Sequence, residues 1–328
     1  MRNSVKLKFM TIMMSAVVFS GCAAAKKDYT DSFFGFDTYV SITAEDLKSD
    51  EQESLKQLLT ELDKSFSSAY GVNANTLDDE NLRECAAEAA EFSKVYGDTV
   101  NLTIGAVTEL WGISSDSPCV PDNSLLEAAM LTIDDTDYRN GDFKAYPDGV
   151  KLDFGAAAKG YACDKVYEML EQAQTEHLVL SMGSSTLLYG KKSDGSKFKA
   201  AVKDPFEPSR YLGILETDSA FVSTSGGYER FFEYEGVKYE HILSPETGYP
   251  VETDLVSVTV IVPVHTENGG LLSDMLSTAI YAEGTAGLGK YLDSSDFFVI
   301  AADKNNNVYT TSGVDFTIYE ESGFVPKV

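Results

Sequence analysis

An α+β fold is predicted, with mixed, largely antiparallel sheets and packed helices. Three observations lead there. Helical and strand patterns are mixed without the regular βαβ rhythm of a doubly wound sheet. Two strand pairs lie close enough to form hairpins, one turning at Glu235-Gly236 and one around Asn305 to Asn307. No internal repeat marks a solenoid.

Residues 22–30 read as a short polar tether. Phe33 to Ala44 alternates and carries Val40 and Ile42, which predicts a strand. Glu51 to Ala69 is a helix, with Leu55, Leu58, Leu59, Leu62 and Phe66 at helical spacing. Asn81 to Tyr96 is a second, alanine-rich helix, and Val100 to Trp111 a third, opened by Asn101 to Thr103. Residues 112–124 form a loop holding Pro118 and Pro121. From Tyr146 strands dominate, with one major helix over Gly160 to Gln174 that turns Ala162, Val166, Met169 and Leu170 inward. Leu178 to Met182 and Thr186 to Tyr189 are strands around Gly183. Arg230 to Leu243 is a hairpin, and Val256 to Val262 a β-branched strand. Ser273 to Glu283 is a helix, and Phe297 to Thr311 a final hairpin.

The chain has 328 residues, enough for one large domain or two of ordinary size. Its first residues are of another kind. Arg2, Lys6 and Lys8 precede an apolar stretch from Phe9 to Phe19 that is short for a membrane span, and Ser20-Gly21-Cys22 follows. This resembles a lipoprotein signal over residues 1–21, with Cys22 as the lipid acceptor. A diacylated Cys22 would hold the protein, outside the cytoplasm, on a bacterial membrane. Without residues 1–21, 52 acidic side chains face 23 basic ones, a net charge of −29. Such a chain is repelled by nucleic acid, which excludes a nucleic-acid partner. Cys85, Cys119 and Cys163 are odd in number and contain no Cys-x-x-Cys, so neither a disulfide framework nor a zinc site is expected. Cys85 and Cys163 sit in apolar helical patterns as small hydrophobes.

Four polar clusters carry the chemistry: Asp153 to Asp164, Ser223 to Arg230, His241 to Pro250, and Ser273 to Ala279. Asp153-Phe154-Gly155 is not a kinase metal motif, because all three histidines lie downstream of it and a His-Arg-Asp loop is missing. The P-loop spacing and Gly-x-Ser-x-Gly are also missing, and no histidine pair has zinc-ligand spacing. Asp274 and Thr278 are four apart and share a helix face, offering two oxygen ligands to a hard cation such as Mg²⁺. The competing reading has Asp274 complement the helix dipole behind a Ser273 cap. Three alanines between Gly155 and Lys159 leave the backbone approachable, either for a cation at a free carbonyl or as a close-packed strand-to-helix turn. Lys159 stands at a helix start, where phosphates bind well. His241 precedes a turn at Pro245 and Gly248 and is either structural or a general base.

Together the clusters resemble one family, the FAD:protein FMN transferases, also described as thiamine-biosynthesis-lipoprotein-like flavin transferases. The resemblance covers about residues 31–325. It includes Phe36-Asp37-Thr38, Val100 to Gly105 with Leu110-Trp111-Gly112, and Asp153 to Asp164. It continues through Ser223 to Gly226, Tyr228-Glu229-Arg230, His241-Ile242, Pro245 to Pro250 and Ser257 to Val260 before Asp274. It implies a single large domain over 31–328 that binds Mg²⁺ and FAD and transfers FMN to a threonine hydroxyl of an acceptor protein, releasing AMP. The acceptor would be a membrane redox-complex subunit or an extracytoplasmic flavoprotein. By position, the resemblance places Asp274, Ser277 and Thr278 at the metal with the Ala156 carbonyl. It places Phe36, Thr99, Val100, Asn101, Asp153, Lys159 and Leu243 on FAD, and has His241 assist threonine attack. The chain departs from the family pattern at Ala156-Ala157, at Ser184-Ser185, at Ser244 and at Ser277. An FAD pyrophosphatase using the same site, and a flavin-binding surface lipoprotein without catalysis, are the rival readings.

Overall fold

The computed structural model describes residues 28–67, 72–74, 77–133, 149–173, 175–207 and 209–327. The signal, Cys22, Ala69, Tyr146 and Gln174 lie outside these residues. The first strand, β1, spans Asp28–Gly35 and so starts within the stretch read as tether. Where one strand was expected over Phe33 to Ala44, β1 pairs with β2 (Thr38–Glu45) as a hairpin. The chain reverses at Phe36 and Asp37, both left-handed (φ 52° and 53°), which is rare for a bulky side chain. Asp63 on helix α1 (Ser49–Ser67) accepts the Phe36 N–H at 2.6 Å and holds the turn.

α1 buries Leu55, Leu59, Leu62 and Phe66 along one face. After β3 (Val72–Asn73), helix α2 (Glu80–Tyr96) is capped by Asp79, whose carboxylate accepts the Leu82 N–H. The third helix is shorter than expected: α3 covers only Gly105–Trp111. Asn101 Oδ1 takes both the N–H and the hydroxyl of Thr103 (2.9 and 2.7 Å), and the Leu102 carbonyl accepts the Asp153 N–H. These bonds compete with helix formation over 100–104. Helix α4 (Asn123–Met130), capped by Asp122, begins inside the expected loop. Next come β4 (Lys151–Leu152), α5 (Ala158–Glu171), β5 (His177–Met182) and β6 (Ser185–Gly190).

Strands β7 (Phe198–Lys203), β8 (Tyr211–Thr217) and β9 (Ala220–Ser225) were not anticipated. Alanine and lysine give β7 a weak strand signal, and β9 is buried on both faces, so it shows no alternation. β10 (Phe231–Tyr234) and β11 (Val237–Glu240) form the expected hairpin, with left-handed Glu235 and Gly236 at its turn. β12 (Leu255–Pro263) precedes α6 (Gly269–Gly287), which starts a turn earlier than Ser273, and the short α7 (Gly289–Leu292). β13 (Phe298–Asp303) and β14 (Asn307–Thr310) form the last hairpin, followed by β15 (Asp315–Ile318) and β16 (Val325–Pro326).

Among the described residues the main sheet has nine strands in the order β1-β2-β5-β6-β9-β12-β13-β14-β16, antiparallel except for β14 with β16. Strand periodicity divides its side chains between two cores. Leu178, Leu180, Val258, Val260, Val299 and Ala301 face the helices α1, α2, α5 and α6. Val179, Ile261, Ile300 and Ala302 face a second, three-stranded sheet ordered β15-β8-β7. A third small core joins Trp111 to Leu126 and Phe232. The protein is therefore a helix layer, a large sheet and a small sheet, with Cys85 and Cys163 packed in the helical core.

Candidate active site

The site is built where α5 crosses α6. Gly160 on α5 and Gly270 on α6 meet so closely that a Cβ at either would lie 2.3 Å from the other's carbonyl oxygen. Asp164, one turn further on, accepts the N–H groups of Gly270 and Leu271 at 2.7 Å each. It therefore takes up the free N–H groups at the start of α6, while burial raises its carboxyl to about 7 against the pull of those two bonds. Asp274 does not have that role. It stands in the second turn of α6, almost fully buried at 3% exposure. Its Oδ2 accepts the Gly160 N–H (3.0 Å), its Oδ1 accepts the Ser185 hydroxyl (3.1 Å), and Lys159 Nζ is 3.8 Å away. Ser273 is not a cap either, since its hydroxyl bonds the Gly270 carbonyl and Ser223.

Hydroxyls set the rotation of α6 against β9. Ser223 meets Ser273 at 2.8 Å, Ser225 meets Ser277 at 2.8 Å, and Ser225 meets Thr278 at 3.0 Å. Each is directional, unlike an apolar contact, and together they aim Asp274 and Thr278 the same way. Both border a cavity of about 540 Å³. Phe36, Thr99, Val100, Asn101, Asp153, Ala156, Lys159, His241 and Leu243 line it too. Ser277 does not: it is fully buried, bonded to Ser225 and to the Asp274 carbonyl. Thus the structure gathers the residues singled out in the sequence around one space, with Ser277 behind the wall.

The wall has distinct parts. Asp153 Oδ1 accepts the Gly155 N–H at 2.7 Å, which fixes the turn leading through Ala156 to Lys159. His241 hangs from Arg230, whose carbonyl accepts both the His241 N–H and its Nδ1–H (3.2 and 3.1 Å). A carbonyl only accepts, so Nδ1 carries the hydrogen and Nε2 keeps a lone pair. Burial, then the Arg230 guanidinium, push the imidazole down to about 3, so it stays neutral at physiological pH. Arg230 itself ties Ser114 to the carbonyl of Asp37 in the β1–β2 turn. Trp111 Nε1 donates to the Gly248 carbonyl at 2.7 Å and pins the turn after His241. Ser244, one of the departures, accepts the N–H groups of Glu246 and Thr247 and maintains that turn.

Sequence reasoning gave no role to Lys203, Glu229 or Arg230, all of which border the cavity. Glu229 is raised to about 7, chiefly by burial, with Lys159, Arg230 and Lys203 opposing the rise. The Tyr228-Glu229-Arg230 run was visible, but the placement of its side chains depends on the β9–β10 connection. Among the described residues no three His, Cys, Asp or Glu side chains group as a metal site. The donors here are oxygens: one carboxylate at Asp274, the Thr278 hydroxyl and backbone around Ala156. That set fits Mg²⁺, which binds through one or two carboxylates and completes its shell with water and substrate phosphates.

A family model described as the ApbE family matches residues 36–300. A curated relative named FAD:protein FMN transferase, from Klebsiella pneumoniae (strain 342), is 32% identical over 240 residues, which is 70% of this chain and 71% of that protein. One of the same name from Treponema pallidum (strain Nichols) is 30% identical over 234 residues, 66% of this chain and 63% of that protein. The solved structure of the ApbE protein of Thermotoga maritima aligns with a TM-score of 0.70 at 24% identity, covering 90% of this chain and 98% of that one. The flavin transferase ApbE of Vibrio cholerae aligns at 0.66 and 20%, covering 90% and 97%. These two likenesses establish the fold.

Proposed function

The chain belongs to the ApbE family, and from that premise we propose that it is a Mg²⁺-dependent FAD:protein FMN transferase. It moves FMN from FAD to a threonine hydroxyl of an acceptor protein and releases AMP. The observation that carries this reading is the single cavity in which Asp274, Thr278, Lys159 and His241 meet Phe36, Thr99 to Asn101, Asp153 and Leu243. The curated relatives from Klebsiella pneumoniae and Treponema pallidum are named FAD:protein FMN transferase, which supports the FMN transfer in this reading.

In this reading Asp274, Thr278 and the Ala156 carbonyl hold Mg²⁺. Bound there, the ion supplies neutralising charge to the phosphoryl group. Lys159 and the start of α5 receive the pyrophosphate. Phe36, Thr99, Val100, Asn101, Asp153 and Leu243 seat the rest of FAD. The acceptor threonine oxygen bonds the FMN phosphorus, and its proton passes to Nε2 of His241. The bond from that phosphorus to the AMP oxygen breaks, and AMP leaves with the electron pair. Ser277 acts one step back, orienting Thr278 through Ser225. Lipidation of Cys22 belongs to the same proposal: it keeps the enzyme on the outer side of a bacterial membrane, beside a membrane redox-complex subunit or another extracytoplasmic flavoprotein.

The test follows AMP and free FMN from FAD in the presence of Mg²⁺, with and without a threonine-bearing acceptor. Transfer requires AMP to appear with the acceptor and without matching free FMN. Equal AMP and free FMN, indifferent to the acceptor, would make the protein an FAD pyrophosphatase. No AMP under either condition, with FAD bound, would leave a flavin-binding lipoprotein.

A further inference from the structure

One stretch of the cavity wall is supplied by none of the residues assigned to FAD, Mg²⁺ or the base. It is β7, through Ala200, Ala201, Val202 and Lys203. Successive side chains on a strand point to opposite faces. Phe198, Ala200 and Val202 accordingly enter the core between the two sheets, while Lys199 is exposed. Yet four consecutive residues border the same space. Side chains of one parity cannot supply all four contacts, so the cavity reaches the backbone of β7 itself.

Among the described residues the outer edge of β7 is free of strand pairing. β7 ends the order β15-β8-β7, and among the described residues β8 is its only strand partner. An unpaired edge presents a row of N–H and C=O groups that can template another strand. Proteins usually blunt such edges with charge, proline or bulges. The register of β7 with β8 shifts between Val202 and Lys203, where Leu212 of β8 is the extra residue, and Lys199 stands near the start of β7. Between them, Ala200 and Ala201 carry only methyl groups, so a second backbone can approach to the roughly 4.8 Å of strand pairing. Lys203, half-buried and with its ammonium lowered by burial against the opposing Glu229, ends β7 and so the pairing stretch.

We propose that the acceptor protein docks on β7 as an added antiparallel or parallel strand, its threonine carried into the cavity by main-chain hydrogen bonds along Ala200 to Val202. The proposal rests on the flavin-transfer reading, which requires a protein hydroxyl to reach the same cavity. The edge is continuous with that transfer site. Strand addition also suits an enzyme acting on a segment of another protein, because main-chain bonds supply affinity while a few side-chain pockets supply selectivity.

The probe is a short synthetic peptide carrying one threonine between small residues, taken from a panel as one that the enzyme flavinylates. Its backbone amides are N-methylated one at a time. Strand docking predicts a period of two: methylation at alternate positions slows transfer about tenfold or more, and at the positions between them hardly at all. In parallel, amide hydrogen exchange is followed over residues 198–203 with FAD, Mg²⁺ and the threonine-to-valine form of the peptide. Exchange should slow there only when the peptide is present. Transfer without a period of two, and without protection of this segment, overturns the docking and leaves the flavin-transfer reading intact. Protection by FAD alone assigns the edge to the flavin and overturns it too, as does protection that grows with enzyme concentration and so reports self-pairing. If no peptide or protein acceptor is modified while FAD is still cleaved, the flavin-transfer reading fails and the docking falls with it.

Discussion

Gly160→Ala tests the helix crossing on which the site is built. The added Cβ would lie 2.3 Å from the Gly270 carbonyl oxygen, 2.7 Å from its carbon and 2.8 Å from Asp274 Cβ. Unstrained carbon contacts begin near 3.5 Å, so α5 and α6 must part by about 1 Å. Overpacking of this kind costs about 1–3 kcal/mol. Weakening the bond from Gly160 N–H to the Asp274 carboxylate adds about 1.5–3 kcal/mol, the range for hydrogen bonds to charged groups. Alanine returns about 1 kcal/mol through its helix propensity. The net destabilisation is about 3 kcal/mol, or a fall in Tm of about 5 °C for a domain of this size. The displaced Asp274 should also raise the Mg²⁺ concentration needed for half-maximal AMP release. Thermal unfolding and a Mg²⁺ titration read the two effects separately. Gly289→Ala is the control, because a Cβ there meets nothing within 4 Å. A Gly160→Ala protein with unchanged Tm and unchanged Mg²⁺ dependence would refute both the close crossing and its role in setting Asp274.

His241→Ala should bind FAD as the wild type does, by fluorescence titration, yet transfer FMN about a hundredfold more slowly, the loss typical of a missing general base. The wild-type rate should show no acid limb near 6.5, because His241, held down to about 3, stays unprotonated until the pH approaches that value. For stability the sign is the same: its contribution is complete above about 6.5 and is lost as pH falls towards about 3, where only then the folded imidazole takes the proton that the unfolded chain already holds. Asp274→Asn keeps an acceptor for Gly160 and removes the charge, so most Mg²⁺-dependent activity should disappear; full activity at ordinary Mg²⁺ would reduce Asp274 to a packing residue. Cys22→Ser should move the protein from the membrane fraction to the soluble one, and unchanged membrane association would end the lipid-anchor proposal.

Local signals were the legible ones. The Glu235-Gly236 hairpin could be read because its turn needs left-handed residues and offers a glycine. The clusters around Asp153, His241 and Asp274 could be read because each concentrates polar groups beside turn residues or on one helix face. Non-local contacts were not legible. Gly269 and Gly270 look like helix breakers in the sequence, but they begin α6 because Gly160 needs the space and Asp164 bonds their end of the helix. The same contact explains Asp153 to Asp164: one acid shapes the turn, the bare residues let helices and ligand approach, and the second acid caps a helix distant in sequence. Lys203, Glu229 and Arg230 reach the cavity through strand register and loop paths that no periodicity reports. Helix α4 was hidden behind two prolines and declared only by Asp122.

The most direct test of flavin transfer is the intact mass of an acceptor protein after incubation with the enzyme, FAD and Mg²⁺, followed by fragmentation to locate any added group. The account predicts an acceptor heavier by one FMN, joined through phosphate to a threonine oxygen, with one AMP released for each modified molecule. An acceptor of unchanged mass, while FAD is consumed to AMP and free FMN, would contradict it.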